Sequence, residues 1–503
     1  MDRLGRRLGM ALLAGVALVA SLLLVSGDER ADPRTPPSLP GMPPPFLGVA
    51  VLGDGELTAA VDAYGDVVDL RSGPAGRALI ENPADRQAAG SVAADAGIQP
   101  WVRVGDGPAL PMWRADRIRQ RYLPGTNVMR TTARFGRGRI EITQAVRGQV
   151  LMMVAGGEGA TAQLRIGADV RCEAQRRDQT LTTACSAGDP GEAAPRVQRV
   201  VNEAALSDRR WLGRRRPLGA AAPAWARRMY ERSLLVLRAL TDRRTGAVAA
   251  GARDGWAYVW PRDSATAALA LAAAGYRGEA RRAVRFLLAV DLRAAARFYG
   301  DGKPVPGRGP QGDAAGWVRV AAQAVGTPPP PRLPWRNLPD YQEGEAGDYL
   351  GNAIAAGGTK AALYGGESFR QLVRRLGDPV SGLDSAAAWA VEPFGIRPLY
   401  PAARATMLGL ARHGGRFGIT PGEDWSGVDP WSAPTAWTAW SLAALGERRQ
   451  ALRLLGDLRR SATPAGALPE RVDARTGVPT STTPLGWSHA FAVLALRELW
   501  PSR

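Results

Sequence analysis

Residues 221–240 read AAPAWARRMYERSLLVLRAL, and this stretch divides the chain into two structural regimes. Pro223 suits the first position of a helix, where a missing N–H leaves nothing unsatisfied. Behind it, Trp225, Met229, Val236 and Leu240 fall near one face of a 3.6-residue repeat. Upstream, apolar residues come in short runs broken by glycine: Phe46 to Leu52, Leu57 to Ala63, Val67 to Leu70, Arg139 to Val146, Val150 to Ala155 and Leu164 to Val170. Ile140 and Ile142 point one way while Glu141 and Thr143 point the other, as on a half-buried strand. Short strands at this spacing predict a β-sandwich over residues 46–205. Downstream, helical periodicity recurs over Asp263–Gly275, Arg277–Ala296, Asp313–Val325, Ala346–Tyr364, Ser368–Leu376, Leu383–Ala390, Pro401–Arg412, Ala433–Leu445, Arg448–Arg460 and Pro484–Leu499. This predicts an all-helical domain over 223–503, joined to the sandwich by a connector at 206–222. A closed double ring of helix pairs is one architecture that fits this run of helices.

The N-terminus is of another kind. Arg3, Arg6 and Arg7 precede an uncharged run from Gly9 to Ser26, long enough to span a bilayer or to serve as a secretory core. The arginines favour the cytoplasmic side, which places the rest outside. Residues 1–26 are therefore read as a signal-anchor or transmembrane segment. Cleavage near Val25-Ser26-Gly27 would instead release a secreted protein. Asp32 to Pro45 holds seven prolines, so residues 27–45 are expected to form an extended tether. The predicted location is the cell membrane, single-pass with extracytoplasmic domains, or secreted after cleavage.

The formal charge of +18 raises the question of nucleic acid. Of the 65 basic residues only Lys303 and Lys360 are lysines, and the arginines are scattered rather than striped. The densest cluster, Arg209, Arg210 and Arg214 to Arg216, falls in the expected connector. This distribution argues against a nucleic-acid partner. The two cysteines, Cys172 and Cys185, flank a polar stretch that reads as a hairpin; outside the cytoplasm they are either bonded or two free thiols. With two dispersed histidines, His413 and His489, they give no zinc-site spacing and little scope for a histidine-activated nucleophile.

Carboxylates and aromatics carry the chemistry. Twelve of the fifteen tryptophans follow Pro223, and six lie in loops near acids: Trp256, Trp260, Trp335, Trp425, Trp431 and Trp487. Aromatic faces stack on sugar rings while acids and amides bind hydroxyls. Trp389, Trp437 and Trp440 sit in helical patterns and are assigned to the core. Four segments stand out: Gly255-Trp256-Ala257-Tyr258-Val259-Trp260-Pro261-Arg262-Asp263; Asp340-Tyr341-Gln342-Glu343-Gly344-Glu345; Arg416-Phe417 through Glu423-Asp424-Trp425 to Asp429-Pro430-Trp431; and Leu468-Pro469-Glu470-Arg471-Val472-Asp473 followed by Thr483-Pro484-Leu485-Gly486-Trp487-Ser488-His489-Ala490. Taken singly, each also reads as an ordinary turn, acidic loop or helix cap. For Asp263 that alternative is a cap with a solvent-facing Arg262.

In this order the segments resemble glycoside hydrolase family 15, the glucoamylase family. Trp389 to Gly395 looks like that family's W-L-x-x-P-F-G segment. Gly125-Thr126-Asn127-Val128-Met129-Arg130 and Val51 to Leu70 look like the T-N-V strand and opening hairpin of its bacterial members. The resemblance covers about residues 46–503. It implies an N-terminal β-sandwich, an (α/α)6-barrel catalytic domain, and inverting, exo-acting hydrolysis of α-linked glucosides. By position it implies Glu343 as general acid and Glu470 as general base, with Glu345 an alternative acid. It implies substrate contacts from Tyr258, Trp260, Arg262, Asp263, Tyr341, Arg416, Trp431 and Trp487. Arg262 and Asp263 would lie deepest, near Trp260 and Arg416, and Arg262→Ala would impair binding while sparing the fold. Two carboxyl groups suffice for the reaction, so no metal and no cofactor is expected. The expected partners are an oligosaccharide or polysaccharide and, through the N-terminal segment, a membrane; no oligomeric state is implied. Gln342 stands where the family has tryptophan, and Asp429 where it has asparagine. These departures keep open a second reading, a membrane-tethered glycan-binding protein with reduced catalysis.

Overall fold

The computed structural model describes residues 48–80, 97–167, 170–186, 188, 190, 196–253, 255–333, 338–341, 350–356, 383–422, 425 and 427–502. Thirteen described strands come first, in two antiparallel sheets. One contains β1 (Gly48–Gly53), β2 (Thr58–Asp62), β3 (Val67–Ser72), β4 (Arg77–Ile80), β5 (Gly97–Val104), β6 (Ala109–Pro111) and β11 (Ala160–Gly167). The other contains β7 (Arg117–Tyr122), β8 (Met129–Phe135), β9 (Gly138–Arg147), β10 (Val150–Glu158), β12 (Arg171–Arg177) and β13 (Thr180–Ser186). The sheets share one core, with Val61, Leu70 and Ile98 from the first meeting Ile140, Ile142 and Leu151 from the second. On β9 the alternation is realised: Ile140 and Ile142 are fully buried while Glu141 and Thr143 are half-buried. Burial of each such isoleucine is worth about 1.5–3 kcal/mol. Gly65 turns β2 into β3 at φ +86°, a backbone that favours glycine.

Cys172 and Cys185 face each other across the β12–β13 hairpin and are disulfide-bonded. The hairpin register, which the sequence alone leaves open, brings the two side chains together.

Ten α-helices are described: α1 (Val197–Gly213), α2 (Ala224–Leu240), α3 (Pro261–Ala273), α4 (Arg277–Ala289), α5 (Ala314–Ala324), α6 (Leu350–Ala355), α7 (Tyr400–His413), α8 (Ser432–Ala444), α9 (Arg448–Ser461) and α10 (Gly486–Leu499). A 3-10 helix spans Ser385–Ala390. Two boundaries differ from the sequence reading. Helix α1 runs across the expected break between 205 and 206, because Val197, Val201, Ala204, Ala205, Trp211 and Leu212 form a continuous buried face. It packs on β9, β10 and β13. Helix α4 stops at Ala289 rather than Ala296, where Val290 turns extended and Asp291 caps a following turn.

A closed inner ring is traced by contacts from α10 to α3, α5, α6, the Ser385–Ala390 helix, α8 and back to α10. Helix α2 packs outside α10, α4 outside α3, α7 outside the 3-10 helix, and α9 outside α8. Gly316 lets the backbones of α5 and α6 touch: a Cβ there would lie 1.9 Å from the Ala355 carbonyl oxygen.

The Thr126-Asn127-Val128 segment fastens sandwich to ring. Asn127 Nδ2 donates to the Gly53 and Leu235 carbonyls at 3.1 and 2.9 Å, and its Oδ1 accepts from Arg232 at 2.9 Å. Arg232 also lies 3.5 Å over the Tyr122 ring. Among the described residues no helix is long and apolar enough to cross a membrane. The expected anchor and tether, residues 1–45, lie outside the described residues.

Candidate active site

The starts of three inner helices meet at one end of the ring. Pro261 occupies the first turn of α3 after Trp260, so Arg262 and Asp263 sit in that turn with their side chains turned inward. Arg262 is 5% exposed, which rules out a solvent-facing arginine beside a capping aspartate. Its Nη1 donates to Gln311 Oε1 at 3.0 Å and to Asp313 Oδ2 at 2.8 Å, and its Nη2 stands 3.5 Å from Asp263 Oδ2. Its guanidinium lies 4.5 Å over the Trp487 ring, at the start of α10. Asp313 precedes α5 yet makes no cap bond with its side chain, which turns to Arg262 instead.

This is a buried, fixed charge cluster. Burial raises the Asp313 pKa, and Arg262 opposes it. Burial likewise raises Asp263, to about 7; Arg262 opposes this, while Asp313 and Glu470 push it further. Asp263 Oδ2 and the indole N–H of Trp487 have no hydrogen-bond partner among the described residues. Unsatisfied polar atoms in a buried setting are costly, and sugar hydroxyls satisfy both donors and acceptors.

The Asp263 shift gives a prediction with a definite sign. An acid whose folded pKa lies above its unfolded value binds a proton more tightly when folded. Stability is then greatest below about pH 4, falls as pH rises towards 7, and levels off above it. Asp263→Asn, which mimics the protonated form, should match the parent in thermal unfolding below about pH 4 and exceed it by a growing margin up to pH 8. An equal difference at about pH 4 and pH 8 would contradict this.

Glu470 comes from the loop before α10. Its Oε1 accepts from the Trp256 indole at 3.4 Å, and its Oε2 accepts from the Ser481 hydroxyl. The backbone is held on both sides: Glu470 N donates to the Thr482 carbonyl, and Ser432 N at the start of α8 donates to the Glu470 carbonyl, each at 2.9 Å. The Trp487-Ser488-His489 turn supports this loop from beneath. Ser488 Oγ donates to the Pro469 carbonyl at 3.2 Å, and Leu468 N donates to His489 Nε2 at 2.9 Å. Since Nε2 accepts, the ring proton sits on Nδ1 and goes to Ser233 Oγ at 2.9 Å. Burial first, and Arg232 second, lower the His489 pKa to about 3.

His489 therefore positions Glu470 as a neutral ring. Its contribution to stability is complete above about pH 6.5 and is lost as pH falls towards 3. His489→Leu leaves the buried Leu468 N–H and Ser233 hydroxyl unpartnered, at about 1–3 kcal/mol each. The expected outcome is a lower unfolding temperature together with a lower kcat. A normal kcat in a destabilised variant would show that the histidine supports the fold alone.

The aromatic residues divide into two groups. Tyr341 is buried, with its ring against Trp389, Trp437 and Trp487 at 5.3, 5.2 and 6.0 Å between centroids. Its hydroxyl donates to Asp384 Oδ1 at 3.2 Å and lies 3.0 Å from Ser385 Oγ. Tyr341 and Trp487 thus belong to a packed aromatic layer under the Arg262 cluster. Tyr258 and Trp260 lie beside each other, with Arg297 4.7 and 5.5 Å over their rings. Burial and the neighbouring Arg297 lower the Arg308 pKa, and the Glu470 carboxylate opposes this.

Arg416 is not brought to this group. It is exposed on the Gly415–Gly418 turn, its guanidinium 5.6 Å over Phe417, and its carbonyl accepts from Arg460. The turn directs the side chain outward, and Arg297 is the arginine beside Trp260. Trp431 is half-buried at the start of α8, bridges the backbones of Ile419 and Arg471, and meets Trp425 edge-on at 5.0 Å. Asp429 accepts from Thr480 at 2.8 Å. The sequence reading missed Gln311, Asp313, Ser481 and Arg297; for the first two the only signal is Gln-Gly-Asp ahead of a helix.

Gln342, Glu343 and Glu345 lie outside the described residues, as do Trp335, Glu423 and Asp424. Beside the first three, Asp340 Oδ2 accepts from Gly351 N at 3.1 Å, and the Asp340 carbonyl accepts from Gln311 at 2.9 Å. Among the described residues no group of three or more His, Cys, Asp or Glu is placed to hold a metal ion.

Residues 224–298 match the family model of glycosyl hydrolases family 15. This segment includes the Trp256–Asp263 run. Among solved structures, a bacterial glucoamylase complexed with acarbose superposes with a TM-score of 0.65 at 13% identity, over 93% of this chain and 97% of that one. A wild-type glycosidase gives 0.41 at 22% identity over 55% and 97% of the respective chains. The glucoamylase from Saccharomycopsis fibuligera gives 0.40 at 14% identity over 56% and 96%. No curated protein matches the sequence. The family match is thus confined to the start of the helical domain, and the likeness to the bacterial glucoamylase shows a shared fold, a β-sheet region followed by a helical domain.

Proposed function

We propose that the protein is an inverting, exo-acting α-glycoside hydrolase of the glucoamylase kind, acting outside the cytoplasm. One observation carries this reading: Glu470, held by Trp256 and Ser481, stands in the electrostatic field of the buried Arg262–Asp263–Asp313 cluster at one end of the helical ring. The closed inner ring supports treating the helical domain as an (α/α)6 barrel whose mouth is this end.

Hydrolysis of a glycoside needs a proton on the leaving oxygen and a water activated on the opposite face of the ring. Both groups touching the Glu470 carboxylate are donors, which suits a base that takes a proton from water. Glu343 is assigned as the acid, with Glu345 its alternative. Tyr341, two positions before Glu343 in the sequence, is packed against Trp487 beneath Arg262. Arg262 and Asp263 are assigned to the hydroxyls of the terminal sugar, and Tyr258 and Trp260 to its apolar face. Trp431 precedes Ser432, whose N–H holds the Glu470 carbonyl, while Arg416 faces outward and is assigned no sugar contact. The Cys172–Cys185 bond suits an oxidising, extracytoplasmic compartment, and residues 1–26 are assigned as the anchor or signal.

The test is incubation of the full-length protein with α-linked disaccharides and oligosaccharides, with released monosaccharide measured over time. Release of one sugar at a time from the non-reducing end is expected. Saturable sugar binding with no release would favour the glycan-binding alternative.

A further inference from the structure

A second cavity lies at the other end of α3 from Arg262. Arg262 opens that helix; Gly275 and Tyr276 follow its last residue. At 1.5 Å per residue the two ends are about 20 Å apart. Here α1, the start of α4 and the Asp54 turn of the sandwich enclose a groove of about 1220 Å³. Seven arginines and three carboxylates, Asp54, Glu203 and Glu279, line it.

The arginines fall into two sets. Arg147 is 3.0 Å from Asp54, Arg243 is 2.5 Å from Glu56, Arg214 is 3.3 Å from Glu279, and Arg238 is 2.6 Å from Asp208. These four are held by carboxylates and form the frame. Glu203 is drawn to Arg199, 2.9 Å away. Among the described residues no carboxylate pairs with Arg210, Arg277 or Arg282, and the Arg282 Nε is buried with no hydrogen-bond partner. The wall between the sets is stiff. Trp211 and Tyr276 stack at 4.0 Å with 6° between their planes, and Arg238 lies 5.4 Å over Trp211. Arg277, Gly278 and Glu279 form the first turn of α4, whose backbone N–H groups add to the positive field.

We propose that this groove is a binding site for a soluble oligoanion carrying several phosphoryl groups. Each phosphoryl group offers three oxygens and up to two charges to the planar arginine fork. Three arginines without a carboxylate partner carry more charge than one phosphoryl group neutralises, which favours a ligand with several such groups. The surface is concave, so a compact ligand enters it more readily than a flat bilayer. The site is separate from the sugar-binding end and uses none of its residues.

The full-length protein and its Arg210→Gln/Arg277→Gln variant are titrated with sodium tripolyphosphate at fixed ionic strength by calorimetry. Arg171→Gln/Arg177→Gln is the charge-matched control, since both residues are exposed on β12 and line no part of this groove. Saturable binding at one site is expected, weakened at least about tenfold by the groove variant and unchanged by the control. Inorganic monophosphate should bind much more weakly than tripolyphosphate. Equal losses in the two variants, or no saturable binding by the parent, would reduce the groove to diffuse surface charge and overturn the site. Phosphatidylglycerol vesicles separate the lipid source: the groove variant should sediment with them as the parent does. Loss of vesicle binding without loss of tripolyphosphate binding would overturn the proposal in favour of a membrane surface.

Discussion

Glu470→Gln is expected to lower kcat by roughly two to four orders of magnitude while leaving sugar binding largely intact. The amide keeps the size of the carboxyl group; its oxygen can still accept from the Trp256 indole, and its NH2 can donate to the Ser481 hydroxyl, so both contacts that place the side chain are kept. It cannot take a proton from water at working pH, so the loss falls on the chemical step. The backbone bonds from Glu470 to Thr482 and from Ser432 to Glu470 are untouched, so the loop should keep its place. Glu343→Gln should give a loss of the same order by removing the proton for the leaving oxygen. A substrate whose leaving group needs no protonation separates the two roles: it should recover much of the rate in the Glu343 variant and little in the Glu470 variant. Recovery in a Glu345 variant instead would move the acid by two residues.

The second large effect concerns Arg262, for which the structure changes the expectation. The sequence reading has Arg262→Ala sparing the fold. In the structure that substitution strips the fully buried Asp313 of its counter-charge and removes the bond from Arg262 to Gln311 Oε1. Breaking a buried pair by removing one partner costs about 3–5 kcal/mol, a large share of a typical domain's stability. Arg262→Ala should therefore unfold at clearly lower temperature or denaturant concentration. Arg262→Lys keeps the charge but loses the planar fork that reaches Gln311 and Asp313 while covering Trp487. It should recover much of the stability yet bind sugar at least about tenfold more weakly. An Arg262→Ala protein as stable as the parent would show that the cluster is not the organising centre of this end.

The division of the chain was legible because strands and helices impose different periods. Ile140 and Ile142 alternate with polar residues, and Trp225 to Leu240 repeat at helical spacing. Helix α1 was hidden because Arg209, Arg210 and Arg214 to Arg216 draw attention to charge, while its buried face is spread thinly from Val197 to Leu212. The first turn of α10 shows how a local motif carries tertiary meaning. Ser488 and His489 hold the loop of Glu470, but nothing local indicates that their partners lie at Pro469, Leu468 and Ser233. Asp313 is the converse case. Locally it is an unremarked residue before a helix, and its charge becomes significant only when ring closure sets it 2.8 Å from Arg262. Arg297 and Arg416 make the same point: both are arginines near aromatic residues in sequence, and only the turn at Gly415–Gly418 decides that Arg416 faces outward.

The central claim is a direct displacement by water, with the acid and base on opposite faces of the sugar. Carboxyl groups roughly 6.5–9.5 Å apart leave room for that water, and each displacement inverts the anomeric carbon. Proton NMR recorded immediately after the enzyme meets an α-linked disaccharide, before mutarotation, reads the outcome directly. The account predicts that the first sugar to appear is the β-anomer. Appearance of the α-anomer first would mean a double displacement through a covalent intermediate and would contradict the assignment of Glu470 as a base acting on water.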